Sequence, residues 1–138
     1  MVTIALKLGI TIHLMRQFSI PAFLEACNRF KPTIIQLDPG TALKLTKAVS
    51  SESQELRSIR DVRAVGDAFP GEVRQKLEIL LHPECLVSAP YGLTEVGTIA
   101  AVSPYSAQQD PNSVGFTWPG VRIKYTFPSK TLISRYIC

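Results

Sequence analysis

Hydrophobic positions along this chain follow a helical period in some segments and alternate in others, and each change of period marks a predicted element. The clearest helix spans residues 19–30, where Ser19 can accept a hydrogen bond as the N-cap and Pro21 is tolerated in the first turn. Its apolar stripe consists of Ile20, Phe23, Leu24, Cys27 and Phe30. A second helix is predicted over about 41–49 and a third after Pro70. Their apolar faces are Ala42, Leu45 and Val49, and Val73, Leu77, Leu80 and Leu81.

Shorter runs with alternating or continuous apolar residues predict strands between these helices. They lie at 10–15, 33–37, 85–89, 98–102 and 121–127, while residues 57–65 alternate weakly. Residues 2–8 fit a strand or a buried helix equally well. We interpret His13, a lone histidine, as a hydrogen-bonded residue on a strand face rather than a ligand or base. Strands that alternate with helices of 10–12 residues indicate βαβ units, and hence an α/β fold with a largely parallel sheet.

The connecting segments carry typical turn and loop residues. Asp38-Pro39-Gly40 predicts a turn, and Trp118-Pro119-Gly120 predicts a tight turn with Gly120 at positive φ. Residues 50–56 are a polar loop too short to separate domains, and residues 103–113 form another loop. We therefore expect one compact domain.

Composition limits the classes of function. Of 138 residues, 46% are hydrophobic and 19% are charged, which is typical of a globular protein. The net charge of +4 is mild and the basic residues are scattered, so we expect no nucleic-acid binding. Cys27, Cys85 and Cys138 form neither a disulfide framework nor a zinc pattern, and we expect Cys27 and Cys85 to be reduced.

No signal peptide, transmembrane span or targeting signal is evident from the residues themselves. The apolar start contains Lys7 and His13 and lacks a cleavage site, and no run reaches the roughly 18 apolar residues of a membrane helix. We therefore expect a cytoplasmic protein, and a peroxisomal location of a longer parent protein stays open.

Residues 91–97 combine an aromatic ring, a hydroxyl, a carboxylate and two glycines. They follow the predicted strand at 85–89, which Pro90 ends because proline cannot donate to a central ladder. In open α/β sheets, ligands bind at the carboxyl ends of strands. A tyrosine face can stack on a purine, glycine lets a backbone approach a ligand, and a glutamate can hold Mg²⁺. The same residues also fit a strand-end turn with a solvated glutamate.

The run Tyr91-Gly92-Leu93-Thr94-Glu95 resembles the signature of the AMP-forming adenylating enzymes. That superfamily contains acyl-CoA synthetases, coumarate-type CoA ligases, luciferases and nonribosomal peptide adenylation domains. Other segments resemble the family in the same order, from residue 1 to about 127: residues 9–15, 18, 21–30, 30–33, 39, 56–60, 66–68, 113–115 and 119–121. We therefore expect a partial AMP-binding domain over 1–127, a middle slice of the family's large domain, and an unmatched tail over 128–138.

The resemblance implies a reaction in which a carboxylic acid and ATP form an acyl-adenylate, which is then transferred to a thiol, often that of CoA. It implies that Tyr91 stacks on adenine and that the backbone of Gly66-Asp67-Ala68 lines the adenine and acyl pocket. Thr94 would contact the α-phosphate and Glu95 would bind Mg²⁺, so these two are the catalytic candidates. The implied cofactor site consists of Gly66, Asp67, Ala68, Tyr91, Gly92 and Thr94.

The chain departs from the family pattern locally at Asp67 and at Ala89-Pro90, which stands where a polar residue and glycine are common, and more widely in the elements that are not found. Asp67 stands where the family has a small residue, and an acidic side chain weakens anion binding unless it points away. The phosphate loop with its lysine, the ribose-binding aspartate and the lid lysine are not found among these residues. We therefore expect a fragment that is inactive by itself and that associates through exposed strand edges.

Two alternatives differ in class from a ligase fragment. The chain could be a non-catalytic nucleotide-binding or regulatory module that keeps the adenine-side pocket. It could also be an unrelated hydrolase that uses His82 and Cys85, although a His-Pro-Glu-Cys run is more often a turn.

Overall fold

The computed structural model describes residues 2–101 and 113–124 of the chain. In this part, the elements are, in order, α1 (Val2–Leu8), α2 (Ile20–Phe30), β1 (Ile34–Leu37), α3 (Pro39–Ala48), β2 (Asp61–Ala64), α4 (Gly71–Leu80), β3 (Leu86–Ser88), β4 (Tyr91–Leu93), β5 (Gly97–Ala101) and β6 (Phe116–Thr117). None of the helices in these two ranges is long and apolar enough to cross a membrane.

The central sheet is parallel and has the strand order β1-β2-β3. Its register pairs Ile35 with Val62 and Val62 with Val87, and all three side chains are buried. α3 and α4 are the crossovers between these strands and pack against each other. The parallel strands and their helical crossovers confirm the predicted α/β class. The core contains Cys27, Ile35, Leu37, Ala42, Leu45, Val49, Leu56, Ile59, Val62, Val73, Leu77, Leu80, Leu81 and Val87.

The predicted helices are confirmed, and one predicted turn is wrong. In α2, the Ser19 hydroxyl accepts a hydrogen bond from the Ala22 amide at 3.3 Å, and Cys27 lies in the core. α3 begins at Pro39, so residues 38–40 are not a separate turn. Asp38 is the N-cap and accepts hydrogen bonds from both the amide and the hydroxyl of Thr41, at 2.9 and 2.6 Å. Proline at the first helical position, directly after a capping aspartate, explains this early start.

A second, smaller sheet is antiparallel and has the order β4-β5-β6. β5 confirms the predicted strand up to residue 101. β4 and β6 were not predicted, because β4 lies inside the polar motif and β6 has only two residues. Gly120 has φ of +83°, and the Val121 amide donates to the Trp118 carbonyl at 2.9 Å, which confirms the predicted tight turn.

Two predicted strands are absent from the described residues. Residues 10–15 are irregular and exposed, and His13 stacks on Phe30 with 4.0 Å between the ring centroids instead of occupying a strand face. Residues 121–124 also lack strand pairing, although Val121 and Ile123 are half-buried. An alternating pattern forms a strand only where a neighbour completes its hydrogen bonds, and no described strand pairs with either segment. Residues 2–8, for which two structures were open, are helical.

Several predictions fall outside the described residues. These are most of the loop at 103–113, the end of the strand at 121–127, the tail at 128–138 and the state of Cys138. Cys27 and Cys85 are free thiols, as expected.

Candidate functional site

Two loops leave the parallel sheet at the same edge. Residues 65–70 follow β2 and residues 89–97 include the hairpin that follows β3, and β2 and β3 are parallel neighbours. The carboxyl ends of neighbouring parallel strands lie together, so the topology brings the two predicted site segments to one edge of the sheet. The family resemblance implies that both segments border one nucleotide pocket, and that implication stays a prediction.

The loop after β2 is tied to the sheet at its base and closed by its own aspartate. The Val65 amide donates to the Leu37 carbonyl at 2.9 Å, and Gly66 has φ of +99°. Asp67 accepts a hydrogen bond from the Ala68 amide at 2.7 Å. The expected role of this turn is to present its backbone to a ligand, but here the Ala68 amide is already engaged. A ligand that needs this amide must displace the Asp67 carboxylate.

The Tyr91–Gly97 segment is a β-hairpin rather than an open loop. β4 and β5 are its strands, and residues 94–96 form the turn, in which the Val96 amide donates to the Leu93 carbonyl at 3.2 Å. Thr94 and Glu95 are therefore exposed at the tip. Tyr91 begins β4 with 46% of its surface exposed, so its ring is accessible for stacking.

The backbone geometry of the hairpin explains why glycine occupies positions 92 and 97, and the sequence analysis did not predict this. A Cβ at Gly92 would lie 2.5 Å from the Gly97 carbonyl oxygen, and Gly97 has φ of +76°. Gly92 is thus required by the close approach of β4 to β5. The available signal was the apolar residues on both sides of a short Gly-bounded turn, which is typical of hairpins.

The donor set suits a phosphate-bound cation better than a cation held by protein alone. Among the described residues, no three His, Cys, Asp or Glu side chains could hold a metal ion together. Glu95 is exposed at the hairpin tip and offers one carboxylate. Mg²⁺ is commonly bound by one or two carboxylates together with substrate phosphates, so Glu95 fits this kind of site.

The His82–Cys85 pair is a turn with an inactive thiol. The His82 Nδ1 accepts a hydrogen bond from the Glu84 amide at 3.1 Å, and the Cys85 amide donates to the His82 carbonyl at 2.8 Å. Burial, together with the smaller effect of the charges of Asp61 and Glu78, raises the pKa of the Cys85 thiol to about 11. Because the thiolate is the nucleophile, this environment opposes the hydrolase alternative.

Comparison with known proteins gives a consistent result. The family model described as AMP-binding enzyme matches residues 1–126. The 4-coumarate–CoA ligase 3 of Arabidopsis thaliana is 31% identical over 99 residues, which is 72% of this chain and 18% of that protein. The phenylacetyl-CoA ligase epaB of Aspergillus niger is 27% identical over 122 residues, 87% of this chain and 23% of that protein.

A solved structure with a similar fold is the O-succinylbenzoate coenzyme A synthetase of Bacillus subtilis in complex with ATP and magnesium ion. It superposes with a TM-score of 0.71 at 21% identity and covers 97% of this chain and 26% of that protein. The chain therefore spans only about a fifth to a quarter of the length of these similar proteins.

Proposed function

The chain belongs to the AMP-binding enzyme family, and we propose that it is a segment of an ATP-dependent acid–thiol ligase. In the proposed reaction, a carboxylate oxygen of the acid bonds to the α-phosphorus of ATP while the bond to pyrophosphate breaks. The thiol sulfur of CoA or of a carrier then attacks the acyl carbon, and AMP leaves. Relatives named as coumarate and phenylacetyl CoA ligases support this reaction class.

The observation that carries the proposal is the pairing of β2 with β3. It brings the turn after β2 and the hairpin after β3 to one edge of the sheet, where ligands of α/β folds bind. The hairpin presents an accessible aromatic ring at its base and a hydroxyl and a carboxylate at its tip. These groups match adenine, phosphate and a phosphate-bound cation, respectively.

Each side chain then has one proposed role. Tyr91 stacks on adenine, and the Gly66–Ala68 turn borders the adenine and acyl pocket with its backbone. Thr94 donates to an α-phosphate oxygen, which orients the phosphorus for attack. Glu95 holds Mg²⁺, which when bound neutralises the negative charge of the phosphates. The acid substrate is a small-molecule carboxylic acid, whose identity these residues do not specify.

The 138-residue chain by itself should give no turnover. The phosphate loop with its lysine, the ribose-binding aspartate and the lid lysine of the resembled family are not found in its sequence. Catalysis of phosphoryl chemistry depends mostly on positioning and on electrostatic stabilisation of the phosphates. In the resembled family, the phosphate loop, the ribose-binding aspartate and the lid lysine would supply both. Mixed with MgATP and a panel of carboxylic acids, the chain should release no pyrophosphate above the level of a Glu95→Gln control.

A non-catalytic nucleotide-binding module is the second candidate, and the exposed Tyr91 ring favours it. Under this alternative, the 138-residue chain binds AMP or ATP saturably in calorimetry. Tyr91→Ala should abolish the binding, and Tyr91→Phe should keep it because the stacking face remains. Phe30→Ala is the matched control, since Phe30 is a similarly exposed aromatic residue on α2. Absence of saturable binding by the chain would refute this candidate.

The size of the native protein tests the ligase proposal. An antibody against residues 103–113 would be used on the cells that make it. A band several times larger than 15.2 kDa supports a ligase of which this chain is a segment, and pyrophosphate release by that larger protein should then require Thr94 and Glu95. A band at 15.2 kDa, with no larger product, would contradict the ligase proposal and direct attention to nucleotide binding.

A further inference from the structure

An open groove of about 550 Å³ lies between α2, the end of α3 and the loop at 50–56. Its apolar surface includes Ile20, Leu24 and Ala48, and its polar surface comes from Glu25, Asn28 and Glu55. None of the lining residues that the structure describes belongs to the turn after β2 or to the hairpin. The groove is therefore a separate surface from the candidate nucleotide site.

Among the described residues, the groove has two carboxylates and no lysine or arginine. Glu55 is held in place because one carboxylate oxygen accepts from the Asn28 side-chain amide at 3.4 Å and the other from the Ser53 hydroxyl at 3.0 Å. Both donors are neutral, so they leave the negative charge of Glu55 in place. Glu25 comes from α2 and has no hydrogen-bond or ion-pair partner in the described part of the chain.

The charge of Glu55 also acts on the protein interior beside the groove. Burial is the main cause that raises the pKa of the Cys27 thiol to about 11, and the negative charge of Glu55 is the second. The positive charge of Lys31 lowers the same pKa, with a smaller effect than that of Glu55. Glu55 thus contributes negative potential to this side of α2, and Lys31 offsets it only in part.

These features select the chemistry of an occupant. An anion is repelled by both carboxylates, and a metal ion lacks ligands because no three His, Cys, Asp or Glu side chains in the described ranges could hold one together. A neutral apolar molecule would cover the carboxylates without offering them a hydrogen-bond donor, which costs free energy. An ammonium group joined to an apolar body suits both parts of the groove, because it has three donors and stays charged at neutral pH.

The size of the groove favours a small molecule over a protein segment. Small-molecule sites are commonly clefts of about 300–1,000 Å³. The groove, at about 550 Å³, falls within this range. A stable protein interface takes about 20–30 residues from each partner. Only seven described residues line this groove, so it offers too little surface for such an interface.

We propose that the groove between α2 and the loop at 50–56 binds a small organic amine with an apolar body. The ammonium group donates to the carboxylates of Glu25 and Glu55, and the apolar body covers Ile20 and Leu24. The proposal concerns a surface apart from the nucleotide loops, and it stands whether or not the chain takes part in acid activation.

Calorimetric titration of the full 138-residue chain with phenylbutylamine tests the proposal. This probe joins a primary amine to an apolar body, and phenylbutanol has the same body without the charge. The chain should bind the amine saturably with a Kd of about 1 mM or below, and the alcohol about tenfold more weakly. Absence of saturable binding of the amine up to about 10 mM, or equal binding of the alcohol, would overturn the proposal.

Four variants locate the binding. Glu25→Gln removes a carboxylate that has no described partner, so it should weaken binding of the amine about fivefold and leave binding of the alcohol unchanged. Glu72→Gln is the matched control, because Glu72 lies in the first turn of α4 outside the groove, and it should change neither affinity. Ala48→Phe should weaken binding of both probes about fivefold or more, because its ring fills the groove. Leu43→Phe, at an exposed position of α3 outside the groove, should not.

Equal effects within either pair of variants would overturn the proposal, because binding would then not depend on the groove. Affinity for the amine that falls as the concentration of the chain rises would also overturn it, since a second copy would then occupy the groove. A peptide of alternating leucine and lysine that competes with the amine and binds about tenfold more tightly would likewise overturn it, because a protein segment would then be the occupant.

Discussion

Arg57 closes the carboxyl end of α4, and its removal should destabilise the chain far more than removal of a neighbouring arginine. Its Nη1 donates to the carbonyl of Leu81 at 2.6 Å, and Leu81 is fully buried at the C-cap of α4. Arg60 lies three residues later and makes an exposed ion pair with Glu84 at 3.5 Å. The two arginines therefore form a matched pair with different surroundings.

The expected magnitudes follow from burial. A hydrogen bond from a charged group contributes about 1.5–3 kcal/mol, and Arg57→Ala also leaves the carbonyl of a buried residue without this donor. An exposed ion pair contributes only about 0–1 kcal/mol, so Arg60→Ala should lower the free energy of unfolding by no more than about 1 kcal/mol. The position of Arg57 at a helix carboxyl end adds a favourable interaction with the helix dipole. A loss of about 1.4 kcal/mol is tenfold in the ratio of folded to unfolded chain, so the difference between the variants is measurable.

Urea unfolding followed by far-ultraviolet circular dichroism measures both variants under the same conditions. Arg57→Ala should lower the free energy of unfolding by about 2 kcal/mol in low and high salt, because a partly buried contact is weakly screened. Any loss in Arg60→Ala should disappear at 1 M salt, where the Debye length is about 3 Å. If Arg57→Ala is no less stable than Arg60→Ala, the Leu81 contact does not hold the end of α4 and the reasoning fails.

Three further changes test the helix cap, the core and the hairpin. Asp38→Ala should cost about 1 kcal/mol at neutral pH. Hydrogen bonds from Thr41 hold the pKa of Asp38 below its ordinary 3.8. The stability that the Asp38 carboxylate contributes is therefore complete above pH 3.8 and is lost as the pH falls through the lowered pKa. Urea unfolding of the natural chain and of Asp38→Ala across acidic pH should show their free energies of unfolding converging. Leu45→Ala should cost about 2–5 kcal/mol because Leu45 is fully buried, whereas Leu43→Ala on the exposed side of α3 should cost well under half of that in the same urea titration. Gly92→Ala should open the hairpin, because the added Cβ would lie 2.5 Å from the Gly97 carbonyl oxygen in β5. The opening should appear as faster amide hydrogen exchange in β5. Unchanged exchange would contradict the close approach of the two strands.

The sequence determined the elements whose causes are local. α2 was predictable because a capping serine, an early proline and an apolar stripe all lie within twelve residues, and α4 because its buried face repeats over three turns. The positive φ at Gly120 was predictable from one turn. The candidate site residues were found in the same way, as a compact group of residue types directly after a predicted strand.

Tertiary structure decided which alternating segments became strands and how the site residues are held. Residues 10–15 have the sequence of a strand but are irregular, while the polar run at 91–93 is a strand because β5 lies beside it. The hydrogen bond of Asp67 to Ala68 and the packing reason for Gly92 likewise appear only once the chain is folded. A helix satisfies its backbone hydrogen bonds within a few residues, so its pattern predicts it. A strand depends on a partner far along the chain, and only the folded structure says which partner is present.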